Sequence, residues 1–144
     1  AYTQIEDTEI RTGTTWLINT DGEQWQVAEH VTNRSRWHEA EPIVALFFED
    51  SPLQFLRADS GQSRLLDFAQ PSTNVIWQST GTGAALLAVD GSLWWLANPL
   101  DPASEPIQMT PPLPEPHTIR WSPNGRQLAF VSETFLYVIE VDSQ

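Results

Sequence analysis

Three tryptophans recur along the chain at nearly equal spacing, and each ends a short strand-like run. Trp37, Trp77 and Trp121 lie 40 and 44 residues apart. Each is followed by a turn, an apolar run, a tight connection and a second run led by aromatic residues. Gly22 precedes Gly61 by 39 residues and marks a partial earlier copy. The chain is therefore predicted to repeat one unit of about forty residues.

The runs themselves are rich in Val, Ile, Leu and aromatic residues, and predicted turns bound them at Asp21-Gly22, Ser60-Gly61, Asp90-Gly91 and Asn124-Gly125. IVALFF (43–48) and AALLAV (84–89) are apolar on both faces, which is typical of sheets that are covered on both sides. No window keeps a helical apolar period, and eleven prolines are scattered along the chain. The runs expected to be strands are Trp16–Ile18, Ile43–Phe48, Phe55–Leu56, Val75–Trp77, Ala84–Val89, Leu93–Ala97, Leu128–Val131 and Phe135–Val141. We therefore predict an all-β fold, a β-propeller or partial propeller of about three and a half four-stranded antiparallel blades.

The repeats divide one predicted domain, 1–144, into unequal copies. They cover about 12–30 (partial), 34–68, 74–110 and 117–142 (partial). The first copy is expected to supply two strands, and the last to lack its fourth. Propellers usually close with roughly four to eight blades. Three explanations stay open: part of a longer propeller, a four-bladed form in which residues 2–10 add a strand, or copies that associate through open strand edges.

The last copy carries a recognisable motif, WSPNGRQLAFVSETFLYVIEVD (121–142). It resembles the WD-repeat-like unit of TolB-type β-propellers, which runs W-S-P-D-G-x-x-I-A-F and then a strand with I-Y-V and Asp. Asn124 stands where that unit has Asp, and both residues suit a tight turn before Gly. The copies at 35–67 and 75–109 keep the Trp and the strands but lose the Ser-Pro-Asp-Gly corner. The matching positions are Trp121, Ser122, Pro123, Gly125, Leu128, Ala129, Phe130, Tyr137, Val138 and Asp142.

Charge and composition limit the classes of partner. The net charge is −12, from 19 acidic and 7 basic residues, and every basic residue is arginine. Phosphate backbones and anionic lipid should repel so acidic a chain, so we predict no nucleic-acid binding. No apolar run approaches the ~20 residues needed to span a bilayer, so we predict no direct membrane insertion. There is no cysteine for disulfides or thiolate sites. The chain begins at Ala1 without a methionine or a signal segment, so a processed or excised chain is expected.

The sequence offers no catalytic signature, so we predict no enzyme, no cofactor and no metal site. His30, His38 and His117 lack metal-binding spacing and are expected in loops or at strand ends. Glu39 and Glu41 beside His38 suit either a weak cation site or, more simply, a solvated acidic loop. The Gly-rich stretch 78–83 joins two strands, whereas a phosphate cradle needs a following helix. No Gly-x-Ser-x-Gly nucleophile motif is present.

Four residues are candidates for contact with a partner: Arg36, Arg120, Trp94 and Trp95. The two arginines share a repeat position, directly before the repeat tryptophan, and would meet an anionic partner if these strands line a channel mouth. Local pairing with Glu or Asp is the simpler interpretation. Trp94 and Trp95 are adjacent on a strand, so their side chains point to opposite faces and one is a potential interface anchor. The repeat tryptophans at 37, 77 and 121 are predicted to belong to the core.

The resemblance implies a non-enzymatic protein-interaction or scaffold module, because TolB-type propellers mostly serve the bacterial cell envelope. A periplasmic or extracellular location is therefore expected, and the sequence is also compatible with the cytoplasm. Partners would be proteins, or further copies through open blade edges. Two alternatives stay open: the gating propeller of a prolyl-oligopeptidase-like serine peptidase whose catalytic domain is not in this sequence, and a ligand-sensing extracytoplasmic propeller.

Overall fold

A computed structural model describes residues 2–7, 12–18, 20–28, 32–48, 52–68 and 70–142. Within these ranges the chain forms fourteen strands and no helix. Every strand pairing is antiparallel, and the strands fall into four sheets. None of the described segments is a helix long and apolar enough to span a membrane. The all-β prediction is confirmed.

Two of the sheets belong to a first compact unit, Ala1–Trp37 with Pro42–Asp67. Sheet 1 has the strand order β1-β2-β3, and sheet 2 has the order β4-β5-β6-β7. Leu17 of sheet 1 packs against Val44, Leu46 and Leu56 of sheet 2 in one apolar cluster. The strands are β1 (Tyr2–Asp7), β2 (Thr12–Ile18), β3 (Gln24–Ala28), β4 (Thr32–Trp37), β5 (Ile43–Phe48), β6 (Gln54–Arg57) and β7 (Ser63–Leu65).

The other two sheets belong to a second unit, His38–Glu41 with Phe68–Gln144. Sheet 3 has the order β11-β10-β9-β8, and sheet 4 has the order β12-β13-β14. Each order follows the chain, so neighbouring strands are joined by hairpins or short loops. The strands are β8 (Ser72–Trp77), β9 (Ala84–Ala88), β10 (Leu93–Leu96), β11 (Ile107–Gln108), β12 (His117–Trp121), β13 (Gln127–Ser132) and β14 (Phe135–Glu140).

All eight predicted strand runs lie on strands of the structure, within a few residues at their ends. β1 gives sheet 1 three strands, whereas the first copy was expected to supply two; among the explanations left open, only the four-bladed form placed a strand within residues 2–10. The sequence YTQIED has only Tyr2 and Ile5 as apolar or aromatic residues, so its hydrophobic signal is weak. Backbone pairing with β2 is what makes it a strand.

The predicted turns are confirmed by their glycines. Gly22, Gly61, Gly91 and Gly125 all have positive φ, a conformation that residues with a Cβ rarely adopt. At Gly91 the surroundings add a second constraint. A Cβ there would overlap the carbonyl oxygen of Leu113, in the Pro-rich connector that follows β11. Leu113, in the same connector, donates its N–H to the Gly91 carbonyl (3.3 Å), so the turn and the connector are in direct contact.

Substitution by asparagine separates these two constraints, because asparagine tolerates left-handed backbone but carries a Cβ. Gly61 has φ +73° and open space around it, so Gly61→Asn should change the free energy of unfolding by less than about 0.5 kcal/mol. Gly91→Asn should lower it by about 1–3 kcal/mol, because the Cβ forces the connector away. Urea unfolding followed by tryptophan fluorescence measures both. Equal effects of the two substitutions would contradict tight packing at Gly91.

Candidate interaction surface

Sheets 3 and 4 pack face to face, and one face of each supplies the core of the second unit. The Trp95 ring meets the Trp121 ring edge-on, with the ring centroids 5.3 Å apart. This contact leaves no room beside it, since a Cβ on Gly83 would overlap the Trp95 ring. The cluster consists of the buried Ala85, Leu93, Ile119, Leu128 and Phe130 and the half-buried Ile76, Leu87, Met109, Leu113, Trp121 and Ile139.

Hydrogen bonds tie the strand ends of the two sheets together. The Trp121 indole N–H donates to the carbonyl of Ile76 (3.0 Å). Ser79 and Thr80 donate from their hydroxyls to the carbonyls of Ser122 (2.5 Å) and Asn124 (3.1 Å). The Gly-rich stretch 78–83 is thus a docking site for the Ser-Pro-Asn-Gly corner of the next copy.

The residue after a repeat tryptophan makes the same contact twice. Gln78 follows Trp77, and its side-chain amide donates to the carbonyl of Gly125 (2.6 Å). His38 follows Trp37, and its Nε2 lies 2.8 Å from the carbonyl of Gly81. Gly81 and Gly125 each stand four residues after their own repeat tryptophan, and both have positive φ. A side chain from one copy therefore binds the corner of the following copy at an equivalent carbonyl.

The surroundings of His38 determine its tautomer. Its Nδ1 accepts the backbone N–H groups of Ala40 (3.0 Å) and Glu41 (2.9 Å). Nδ1 therefore carries no hydrogen, and Nε2–H is the donor to Gly81. Both ring nitrogens are engaged by backbone, so the ring has no lone pair for a metal ion, and the cation-site interpretation of this loop loses its principal ligand. His38 follows the end of β4 and His117 begins β12, as predicted; His30 lies outside the described residues.

The face of sheet 4 that is equivalent to the buried face of sheet 3 is exposed to solvent. Cross-strand pairing defines equivalent positions, because Trp77 pairs with Ala84 as Trp121 pairs with Leu128. One row of the buried face of sheet 3 is Ile76, Ala85 and Trp95, and the equivalent row of sheet 4 is Arg120, Ala129 and Val138. The next row is Leu87 and Leu93 in sheet 3, and Val131 and Leu136 in sheet 4.

These five residues of sheet 4 are named here the outer face. Leu136 is 71% exposed and Val138 is 58% exposed, whereas their equivalents Leu93 and Trp95 are buried. Arg120 is also exposed, and Ala129 and Val131 are half-buried. Isolated exposed apolar side chains are ordinary, whereas exposed apolar side chains that lie next to one another are more typical of interaction sites. The outer face is therefore the strongest candidate surface among the described residues.

The edge of the same sheet is open as well. In sheet 4, β14 is a terminal strand, and residues on an antiparallel strand alternate between bonding their neighbour and pointing away from it. Val141 donates its N–H to the Arg126 carbonyl across the β13–β14 pair (2.8 Å). Because Val141 bonds to β13 and successive residues alternate, the backbone N–H and C=O groups of Leu136, Val138 and Glu140 point to the open edge. Among the described residues, no strand pairs with that edge.

The four predicted contact residues fall in different environments. Arg120 lies on the outer face, where it donates to the carbonyl of Ile119 (3.0 Å). Arg36 is exposed on β4 of the first unit and makes the equivalent bond, to the carbonyl of Ser35 (3.1 Å). Trp95 is buried in the contact between sheets 3 and 4. Of these four residues, only Arg120 belongs to the outer face. The predicted roles of all four in binding a partner remain predictions.

Trp94 points to the opposite face of sheet 3, as adjacent strand residues must. Its indole N–H donates to the Ser92 hydroxyl (2.8 Å), which in turn donates to the Asp90 carboxylate (2.5 Å). The hydroxyl and the backbone N–H of Ser92 both stabilise the charged carboxylate and lower the pKa of Asp90. The Phe68 ring lies edge-on to Trp94, with centroids 5.0 Å apart. Trp94 is therefore held by the turn before it and is half-buried.

The prediction that all three repeat tryptophans belong to the core is wrong for Trp37, which is 45% exposed. Trp77 and Trp121 are half-buried, and each has a ring from the preceding copy against it. His38 lies edge-on to Trp77 (5.3 Å between centroids), and Trp95 lies edge-on to Trp121. Burial at a repeat position thus depends on the side chain that covers it, and sequence spacing does not report that.

The individual residues of the outer face were not predictable from the sequence. Phe135–Val141 was expected to be a strand, with no prediction of which of its side chains are covered; Leu136 and Val138 are exposed. A signal was present in the strand count, because the last copy was expected to lack a fourth strand and open units were expected to expose an edge and an apolar face. The sequence did not show which positions of β14 face away from sheet 3.

Removing the corner contact should destabilise the second unit. Gln78→Leu leaves the buried carbonyl of Gly125 without its side-chain donor, so the free energy of unfolding should fall by about 1–3 kcal/mol. Gln127→Leu makes the same chemical change at an exposed position and should alter it by less than about 0.5 kcal/mol. Urea unfolding compares the two. An unchanged midpoint for Gln78→Leu would show that the contact contributes nothing.

No protein-family model, curated protein or solved structure matches this chain.

Proposed function

We propose that the chain is a non-enzymatic β-propeller module, or part of one, that serves as a protein-interaction platform. The near-forty-residue repeat, the four consecutive antiparallel sheets and the TolB-like motif at 121–142 support the propeller assignment. The motif is also the reason to propose an envelope-protein partner and a periplasmic or extracellular location. Both proposals rest on the resemblance of the repeat.

One observation carries the interaction role: the outer face of sheet 4 repeats, position by position, the face with which sheet 3 binds sheet 4. In sheet 3 these positions are covered by a neighbouring sheet, and in sheet 4 they are exposed. Four of its five positions keep an apolar residue, as the equivalent contact face of sheet 3 does, and Arg120 stands where sheet 3 has Ile76. Leu136 and Val138 are its most exposed apolar members.

Burial of the outer face by a partner would provide an appreciable free energy of binding. Burying one fully exposed leucine or valine side chain is worth about 1.5–3 kcal/mol, and two such residues lie side by side on the outer face. Arg120 adds a cation at the edge of this patch, in a chain whose net charge is −12. A protein surface with a complementary apolar patch and a carboxylate near Arg120 therefore fits the outer face better than a nucleic acid does.

The test is quantitative capture of cell-envelope proteins on the immobilised chain. Leu136→Glu puts a charge in the centre of the outer face and should reduce capture of a specific partner about tenfold or more. Leu65→Glu is the matched control, because Leu65 is 59% exposed on β7 of the first unit, and its capture should equal that of the unmodified chain. Equal capture by both variants would refute the outer face as the binding surface.

A further inference from the structure

The open edge of sheet 4 lies where the two preceding sheets carry a further strand. In sheet 2, β7 pairs antiparallel with the third strand, β6, and in sheet 3, β11 pairs in the same way with β10. β14 is the third strand of sheet 4, and among the described residues nothing occupies the fourth position. These fourth strands are short, with three residues in β7 and two in β11. A brief extended segment is thus enough to complete a sheet of this kind.

The edge of β14 has the groups that such a segment needs. Leu136, Val138 and Glu140 direct their backbone N–H and C=O groups outward, which gives a ladder of donors and acceptors along the strand. Apolar side chains flank this ladder on both faces. Phe135 is exposed on the face where Tyr137 stacks on Phe130 (5.1 Å between centroids, 8° between planes), and Leu136 and Val138 are exposed on the other.

Charge along the strand restricts the chemistry of the occupant. Between residues 133 and 142 the chain carries Glu133, Glu140 and Asp142 and no basic residue, and all three acids are exposed. An added strand with lysine or arginine at its ends would meet carboxylates at both ends of β14. A second copy of this chain would instead bring the same three acids to the edge, on a molecule that itself has a charge of −12. Charge therefore favours a basic segment over self-pairing.

We propose that β14 binds an extended segment of a partner protein, apolar at alternate residues and basic at its ends, which adds antiparallel as the fourth strand of sheet 4. This inference deepens the proposed interaction function, since it names the kind of partner that sheet 4 receives. Backbone pairing along the edge supplies affinity, and the apolar side chains on the two faces of β14 select the alternating residues of the segment.

Binding of a defined probe tests the proposal. The probe is the fluorescein-labelled nonapeptide Lys-Lys-Val-Thr-Val-Thr-Val-Lys-Lys, which is apolar at alternate residues and basic at its ends, and its affinity for the full chain is measured by fluorescence anisotropy at low salt. An analogue with glutamate in place of lysine should bind about tenfold more weakly or worse. An analogue N-methylated along one edge keeps every side chain but loses its backbone donors on that edge, and it should also lose about tenfold or more. Equal affinity of the three peptides overturns the proposal.

A pair of variants locates the site on β14. Val138→Pro removes an outward-pointing N–H while leaving the β13–β14 bonds in place, because Val138 does not donate to β13. Val138→Thr is the matched control, since threonine keeps the N–H and the β-branched shape. Val138→Pro should weaken binding of the lysine peptide about tenfold or more, and Val138→Thr less than about threefold. Urea unfolding checks that both variants fold. If Val138→Pro does not fold, the N-methylated peptide tests the backbone pairing instead.

Other outcomes are distinguishable. If light scattering finds a dimer of the unmodified chain that Val138→Pro dissolves, the edge takes a second copy and the proposal of a foreign segment is wrong. If the lysine peptide does not bind but Leu136→Glu still abolishes capture of envelope proteins, strand addition is wrong and the interaction role of the outer face stands. If the peptide binds at β14 while Leu136→Glu captures normally, the edge is the site and the outer face is not.

Discussion

The packing of sheet 3 on sheet 4 is the interaction on which the second unit depends. Sheets that are apolar on both faces leave hydrocarbon in water unless a neighbour covers them, and the hydrophobic effect makes that costly. The Trp95–Trp121 contact and the cluster around Leu93, Leu128 and Phe130 satisfy this need on one face of each sheet. The same requirement explains the outer face, because sheet 4 repeats the apolar positions that sheet 3 uses.

Polar contacts at the strand ends set the register of this packing. The hydrophobic effect is non-directional, whereas a hydrogen bond to a buried carbonyl forms only in one geometry. Gln78 and His38 provide such bonds to equivalent glycine carbonyls with different side chains. In the last copy Ser122 stands at this position, and its hydroxyl bonds Asn124 of its own corner (2.6 Å). At this position of the copy 117–142 the side chain therefore contacts its own corner.

Much of the secondary structure could be predicted from sequence, because strands rich in Val, Ile, Leu and aromatics have a strong local signal and Gly turns have a strict backbone requirement. The prediction failed where local signal was weak or where tertiary neighbours decide. β1 has few apolar residues, and Trp37 shares a sequence position with two half-buried tryptophans but is exposed. Of the predicted contact residues, Trp95 lies in the packing between two sheets and Arg120 lies on the outer face.

The sequence by itself determined the near-forty-residue spacing, the all-β class and the turns at Gly22, Gly61, Gly91 and Gly125, since these follow from spacing, side-chain type and the freedom of glycine at positive φ. The β13–β14 turn, where Glu133 has positive φ, has no glycine and was not predicted. Only the tertiary structure decided which faces are covered. Leu93 and Leu136 occupy equivalent positions in successive copies, and one is buried while the other is 71% exposed. Burial is a property of the neighbour that packs against a residue, and no local pattern encodes whether that neighbour is there.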